Sequence, residues 1–163
     1  MLFKNFRKST KDEKLKIFEE KIKNLSKEET STARENYIYL QSLNFEKHLT
    51  RLTKKLRGKS VVLYGAGAYL KTIAEFYDLS GLNIVGVSDK RFEKSDNTEI
   101  EFFGYKTIKP DDIKKVNPDY VLVSTKFFIN IIEDLMINIL AGTKIQVKPL
   151  VKKSFFMLIK EIW

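Results

Sequence analysis

The chain has two patterns of apolar and polar positions, and the change between them falls near Lys59. Residues 12–25, DEKLKIFEEKIKNL, place apolar side chains at helical spacing among charges, which predicts an amphipathic helix. The polar stretch SKEETST follows. Ser31 or Thr32 is expected to begin a second helix there, because their side-chain oxygens accept from first-turn amides that lack partners. The second helix is predicted to run from about Ala33 to Leu56.

This second predicted helix carries a stripe of apolar residues along one face, and Gly58 ends it. The stripe consists of Ile38, Phe45, Leu49, Leu52 and Leu56. Because such helices gain most of their stability from packing, the stripe is expected to bury against the following domain, the first helix or another copy of the chain. Residues 1–58 are therefore predicted to form a basic helical hairpin, and we expect dimerisation through the stripe.

Beyond Lys59, short apolar runs rich in β-branched residues alternate with helical segments. The runs predict strands at 61–64, 82–88, 120–124 and 144–147, and the helices are predicted at 68–79, 110–116 and 127–140. Runs without polar alternation are typical of strands covered on both faces. Strands that alternate with helices pair in parallel through right-handed crossovers. The predicted fold class is α/β, in which a Rossmann-like, doubly wound, mostly parallel sheet of roughly four or five strands over 59–163 follows the helical hairpin.

Two segments do not fit this alternation. Residues 92–109 carry turn residues from Ser95 to Thr98 and a short extended piece at 105–108, so a loop over the carboxyl edge of the sheet is expected there. The last segment, 152–163, reads KKSFFMLIKEIW and predicts a closing helix that packs on the sheet. A basic amphipathic tail of this kind also suits a membrane interface, which leaves peripheral membrane contact as an alternative.

Composition narrows the function classes. The chain has no cysteine, which excludes disulfides, thiolate catalysis and Cys-ligated metals, and with His48 as its one histidine it offers no metal-ligand set. No apolar run reaches the ~20 residues of a membrane-spanning helix, and MLFKNFRKST lacks the pattern of a secretory signal, so a cytoplasmic location is expected. Of the net charge of +9, a share of +7 lies in 1–58. We interpret that excess as a solvated helical face rather than a nucleic-acid surface.

The stretch VVLYGAGAYL joins the first sheet strand to a helix through Gly65, Ala66 and Gly67. In this context the first glycine allows a tight turn and the second lets the backbone approach a diphosphate. The helix end then supplies free amides, so the N–H groups from Gly65 to Ala68 are predicted to hold phosphate. Leu70 stands where the dinucleotide pattern has a third glycine, which predicts a wider spacing between helix and strand than in a standard NAD site.

Polar residues follow two further strands at the same predicted edge of the sheet. They are Asp89, Lys90 and Arg91 after the second strand, and Ser124, Thr125 and Lys126 after YVLVS. Asp89 is spaced to accept from ribose hydroxyls, and Lys90 with Arg91 suit an extra phosphate. Ser124 and Thr125 suit a phosphate or a sugar. The structural alternatives are that Asp89 caps a turn and that Ser124 and Thr125 cap the following helix.

From VVLYGAGAYL through SDKRF to GYKTIKPDDIKKVNPDYVLVST, the chain resembles Rossmann-like domains of bacterial polysaccharide enzymes. These are the amino-terminal nucleotide-sugar domain of sugar O-acyltransferases and the similar module of nucleoside-diphosphate-sugar epimerase/dehydratases. The resemblance covers about residues 59–150. The residues that carry it are Gly65, Gly67, Asp89, Gly104, Tyr105, Ile108, Pro118, Asp119, Tyr120, Ser124 and Thr125.

The resemblance implies a site for a UDP-sugar or an NAD(P) dinucleotide over the glycine turn, without catalytic equipment. The leading hypothesis is a nucleotide or nucleotide-sugar binding module in bacterial surface-glycan biosynthesis, as a homodimer or bound to a glycan enzyme through its N-terminal helices. Two alternatives remain open. One is a small NAD(P)- or S-adenosylmethionine-dependent enzyme completed by oligomerisation, and the other is a non-catalytic interaction or regulatory protein.

Overall fold

The structure is a computed structural model, and it describes residues 11–23, 25–94 and 101–153. Its helices are α1 (Lys11–Ile22), α2 (Lys27–Ser42), α3 (Phe45–Lys55), α4 (Ala68–Phe76), α5 (Ile113–Val116) and α6 (Ile129–Asp134). Its strands are β1 (Ser60–Tyr64), β2 (Asn83–Ser88), β3 (Glu101–Phe102), β4 (Tyr105–Ile108), β5 (Tyr120–Val123) and β6 (Gln146–Pro149). A 3-10 turn, Lys90–Lys94, follows β2, a second precedes α5, and a π-helical turn extends α6.

The strands form one mostly parallel sheet in the order β3-β4-β2-β1-β5-β6. Only the short β3 runs antiparallel to its neighbour, β4. The α/β class and the four predicted strands are confirmed, with β6 lying two residues later than predicted. The extended piece predicted at 105–108 is β4. The chain leaves β1 towards β2 and β4 on one side and later returns to β5 and β6 on the other, so β1 lies at the centre of the sheet.

Both faces of the sheet are covered, as the unbroken apolar runs predicted. Along β1, Val61 and Leu63 belong to a core shared with α2, α3 and α4, whereas Val62 and Tyr64 belong to a second core on the other face. The second core includes Ile113 of α5 and residues in and around α6. This alternation follows from the two-residue period of a strand. It fixes the end of β1 between two packed layers.

The helices before the sheet differ from the prediction in two ways. The predicted helix from Ala33 to Leu56 is two helices, because Asn44 between α2 and α3 takes a left-handed conformation with φ of 52°. The start of α2 also lies earlier, at Lys27. There Ser26 and Glu29 form a reciprocal capping box, so the predicted capping role of Ser31 or Thr32 is wrong.

The apolar stripe of the second predicted helix is buried within the chain's own first core. Phe45, Leu49, Leu52 and Leu56 are all buried there against the sheet and α4. Ile38 is the exception, with 60% of its surface exposed. The buried members of the stripe are therefore not available as a contact surface between copies. Dimerisation through the N-terminal helices remains a prediction, and it would have to use residues other than the buried members of the stripe.

Three further findings concern His48, the predicted segments at 95–98 and 154–163, and membrane-spanning helices. His48 lies on α3, and its Nε2 is 3.1 Å from the carbonyl oxygen of Leu150, a contact that joins α3 to the chain after β6. Burial lowers the pKa of His48 below its ordinary value. The turn predicted at 95–98 and residues 154–163 of the predicted closing helix lie outside the described residues. Within the described ranges, no helix is long and apolar enough to cross a membrane.

Candidate functional site

The turn between β1 and α4 requires glycine at its first position. Gly65 has φ of 102°, a conformation that side chains rarely adopt. A Cβ atom at Gly65 would lie 2.8 Å from Cγ2 of Thr125, so space is also lacking. The amide of Gly65 donates to the carbonyl oxygen of Ser88 at 2.8 Å. Gly65 therefore lets the chain turn tightly where the ends of β1, β2 and β5 lie close together.

Asp89 and Arg91 hold the second residue of the turn. The Ala66 amide donates to Oδ2 of Asp89 at 2.6 Å, and the other carboxylate oxygen accepts from the Arg91 amide and from Nε of Arg91. The guanidinium also donates to the carbonyl oxygen of Ala66. Asp89 thus caps the turn, which was the structural alternative to its predicted contact with ribose. We name these three residues the Asp89 clamp.

The predicted phosphate-binding amides divide into two groups. The amides of Gly65 and Ala66 already donate within the chain, so they do not bind phosphate as predicted. The amides of Gly67 and Ala68 remain as candidates for that role. Gly67 and Ala68 are exposed at the start of α4. Within the part of the chain that the structure describes, no side chain caps this helix, and its first turn holds no acidic residue. Since first-turn amides have no acceptor within their own helix, this end attracts anions.

The second glycine differs from the first in both conformation and surroundings. Gly67 has φ of −85° and begins α4 as its N-cap residue. A Cβ atom built on it meets no atom of the described residues within 4 Å. The space over Gly67 is therefore open, which is the geometry that close approach of a diphosphate requires.

The hydroxyl residues after β5 face the chain itself. Ser124 is buried, and its Oγ donates to the carbonyl oxygens of Tyr64 and Gly65. Ser124 therefore stabilises the turn instead of reaching a ligand directly. The hydroxyl oxygens of Thr125 and Ser88 are buried without a hydrogen-bond partner among the described residues. They are polar groups at this edge whose hydrogen bonding the fold leaves incomplete.

Lys126 lies near the open helix end. Its Nζ is 5.3 Å from the ring centre of Tyr39 on α2 and 5.7 Å from that of Tyr69 in the first turn of α4. The rings hold the ammonium group by cation–π attraction while the side chain stays partly exposed. Sequence reasoning proposed Lys126 and missed the two tyrosines, because no local pattern joins α2 to the end of β5. Lys90 is exposed in the 3-10 turn after β2.

Tyr64 also belongs to this edge and was not predicted. Burial, together with the nearby carboxylates of Asp89, Glu93 and Asp134, raises the pKa of Tyr64 to about 12. The phenol therefore stays neutral at physiological pH. The described part of the chain holds no group of three or more His, Cys, Asp or Glu arranged for a metal ion.

The fold and this edge define an α/β domain with a mostly parallel sheet and a glycine turn that opens onto an uncapped helix. Residues 57–146, more than half of the chain, match the family model described as C2185-like, N-terminal, and the chain belongs to this family. No curated protein and no solved structure matches the chain. The matched range contains the turn, the Asp89 clamp and Lys126, whereas Tyr39 precedes it.

Proposed function

We propose that this protein is a nucleotide or nucleotide-sugar binding module, with a UDP-sugar or NAD(P) as its ligand. The order of the strands supports a Rossmann-like arrangement. Numbered along the chain without the short β3, the parallel strands β4-β2-β1-β5-β6 follow the order 3-2-1-4-5. In such sheets ligands bind beyond the carboxyl ends of the strands, where the order reverses. That position lies between β1 and β5, at the glycine turn.

The observation that carries the proposal is the open end of α4. Gly67 and Ala68 are exposed, and among the described residues no side chain caps the helix and no atom fills the space over Gly67. Amides and the positive end of the helix dipole there suit the two phosphates of a nucleotide. Lys126 supplies a positive charge close to the first turn.

The other residues of the edge have supporting or secondary roles in this proposal. The Asp89 clamp and Ser124 hold the turn in shape before a ligand arrives. Preorganisation of this kind lowers the cost of ordering on binding. Lys90, exposed after β2, suits a further phosphate. In this proposal a ribose hydroxyl donates to Asp89 only through the carboxylate lone pairs that the Ala66 and Arg91 hydrogen bonds do not use.

The expected biological setting is bacterial surface-glycan biosynthesis. Its support is the resemblance of residues 59–150 to domains of sugar O-acyltransferases and of epimerase/dehydratases. In this proposal the module binds and presents a ligand, while a partner enzyme or a second copy supplies catalysis.

The test measures thermal unfolding and calorimetric binding with UDP-sugars, NAD(H) and NADP(H). A ligand at a hundredfold over its dissociation constant adds about 2.7 kcal/mol to the free energy of unfolding. The Gly67→Val variant fills the open space at a position with ordinary φ, so it is expected to fold and to lose binding. Lys126→Gln is expected to weaken binding roughly tenfold, as for loss of a hydrogen bond to a charged group.

Gly67→Ala serves as the matched control, because its methyl group meets no described atom within 4 Å and cannot accept hydrogen bonds from the first-turn amides, so it is expected to keep binding. Equal responses of wild type and Gly67→Val to every compound would refute the proposal.

A further inference from the structure

A groove runs along the exposed side of α4, beginning at the same helix end. It is a cavity of about 440 Å³, which lies between the start of α2 and the turn that joins β3 to β4. We call it the α4 groove, defined by Ala68, Lys71 and Glu75 of α4, Ala33 of α2, and Phe103. Its volume falls within the range of small-molecule sites, which is about 300–1,000 Å³.

The α4 groove is continuous with the proposed phosphate site. Ala68 is both the first residue of α4 and part of the groove wall. Lys71 and Glu75 follow it on the same face of the helix. Since an α-helix rises about 1.5 Å per residue, the groove extends about 10 Å from Ala68 to Glu75. That length accommodates a nucleoside whose phosphates lie at the helix end.

Phe103 provides an aromatic wall at the open side of the groove. Its ring is 48% exposed, although Phe is among the residues most often buried. The ring of Phe102 lies 5.2 Å away between centroids and packs against it at an angle of 54°. Bases stack readily on exposed aromatic rings, because every base has a π-face.

The groove carries charges of both signs, with Glu28, Glu29 and Glu75 beside Lys21 and Lys71. Nζ of Lys21 lies 3.6 Å from the carboxylate of Glu75, which balances that lysine. Glu28 and Glu29 also line the groove and are exposed. Carboxylates accept hydrogen bonds from the amino and imino groups of bases and repel phosphate.

We propose that the α4 groove holds the base of the nucleotide, with Phe103 stacked on it, while the diphosphate lies at the start of α4. This inference rests on the proposed function, since it places the base relative to the phosphate site. It gives Phe103, in the turn between β3 and β4, a direct contact with the ligand.

The test compares calorimetric titrations of the full chain with inorganic pyrophosphate, ADP and UDP. Wild type is expected to bind at least one of the two nucleotides about tenfold more tightly than pyrophosphate. Phe103→Asn removes the ring, and asparagine tolerates the φ of 50° at this position. In this variant the nucleotide is expected to lose most of its tenfold advantage, while pyrophosphate affinity stays unchanged. Val116→Asn removes another exposed apolar side chain, at the end of α5, and is expected to behave as wild type.

The outcomes separate the two proposals. If Phe103→Asn keeps the wild-type ratio of nucleotide to pyrophosphate affinity, the base lies elsewhere and the inference is wrong, while the phosphate site stands. If pyrophosphate and the nucleotides bind wild type equally, the inference is also wrong. If wild type binds none of the three probes, or Gly67→Val binds pyrophosphate as well as wild type does, the proposed phosphate site fails and the inference fails with it.

Discussion

The two glycines of the turn between β1 and α4 have different physical roles. Gly65 combines a positive φ with a lack of space beside Thr125, so it serves the fold. Gly67 has an ordinary φ and open space around it, so it leaves room for a ligand. Residue type alone does not distinguish the two glycines. Substitutions at the two positions are therefore expected to affect different properties of the protein.

Gly65→Ala is expected to lower the free energy of unfolding by about 2–4 kcal/mol, through backbone strain and overpacking against Thr125. Gly67→Ser, as the matched change, is expected to stay within about 0.5 kcal/mol of wild type. Urea unfolding followed by circular dichroism measures both values. Equal losses at the two positions would contradict the assignment of roles.

Residue-level prediction succeeded where a local pattern carried the information. The glycine turn and its place after a buried strand were read from ten consecutive residues. Asp89 was selected by spacing, but its contact with the Ala66 amide depends on the pairing of β1 with β2. The same holds for Ser124, whose hydroxyl turns inward to two carbonyl oxygens. Spacing identifies the edge of the sheet, and the fold decides which groups there remain free.

At the level of elements, the largest error lay in the long helix predicted from Ala33 to Leu56. Its apolar stripe continues across Leu43 and Asn44, so periodicity alone gives no sign of the break. Asparagine is one of the few residues that visit the left-handed region routinely, and that property is the available signal. The turn at Asn44 lets α2 pack on α4, while the buried residues of α3 join the first core.

This interpretation predicts an ordered series of variants at Asn44, which is exposed and makes no side-chain cap. Asn44→Gly is expected to match wild type or exceed its stability slightly, because glycine adopts positive φ without strain. Asn44→Ala is expected to be about 1 kcal/mol less stable than the glycine variant. Urea midpoints measured on the two variants test the order. A more stable alanine variant would indicate a continuous helix.

At the scale of the whole molecule, the segment before the family match is part of the main core. The match begins at residue 57, yet Phe45 and Leu49 of α3 are buried against the sheet. Composition and charge set residues 1–58 apart, and packing joins α2 and α3 to the strands. Burial of the stripe is predicted by its periodicity, with the following domain as one of three candidate surfaces, but the stripe alone does not say which surface covers it.

A pair of truncations on the predicted stripe tests this packing. Leu49 is 5% exposed, so Leu49→Ala is expected to cost about 2–5 kcal/mol. Ile38 is largely exposed, so Ile38→Ala is expected to change stability by less than about 0.5 kcal/mol. Chemical denaturation at two protein concentrations gives both values. A large, concentration-dependent loss in Ile38→Ala would instead reveal that α2 contacts another copy.

The Asp89 clamp joins groups 23 residues apart along the chain, Ala66 in the turn and Asp89 after β2. Long-range contacts of this kind form only after the intervening chain has closed its loop, and that closure is slow compared with local helix growth. A nascent chain that has formed α4 but has not yet aligned β2 beside β1 therefore lacks the shaped turn. In the proposed function, ligand binding at this turn therefore follows the pairing of β1 with β2, and a nucleotide would bind folded molecules in preference to partly folded ones.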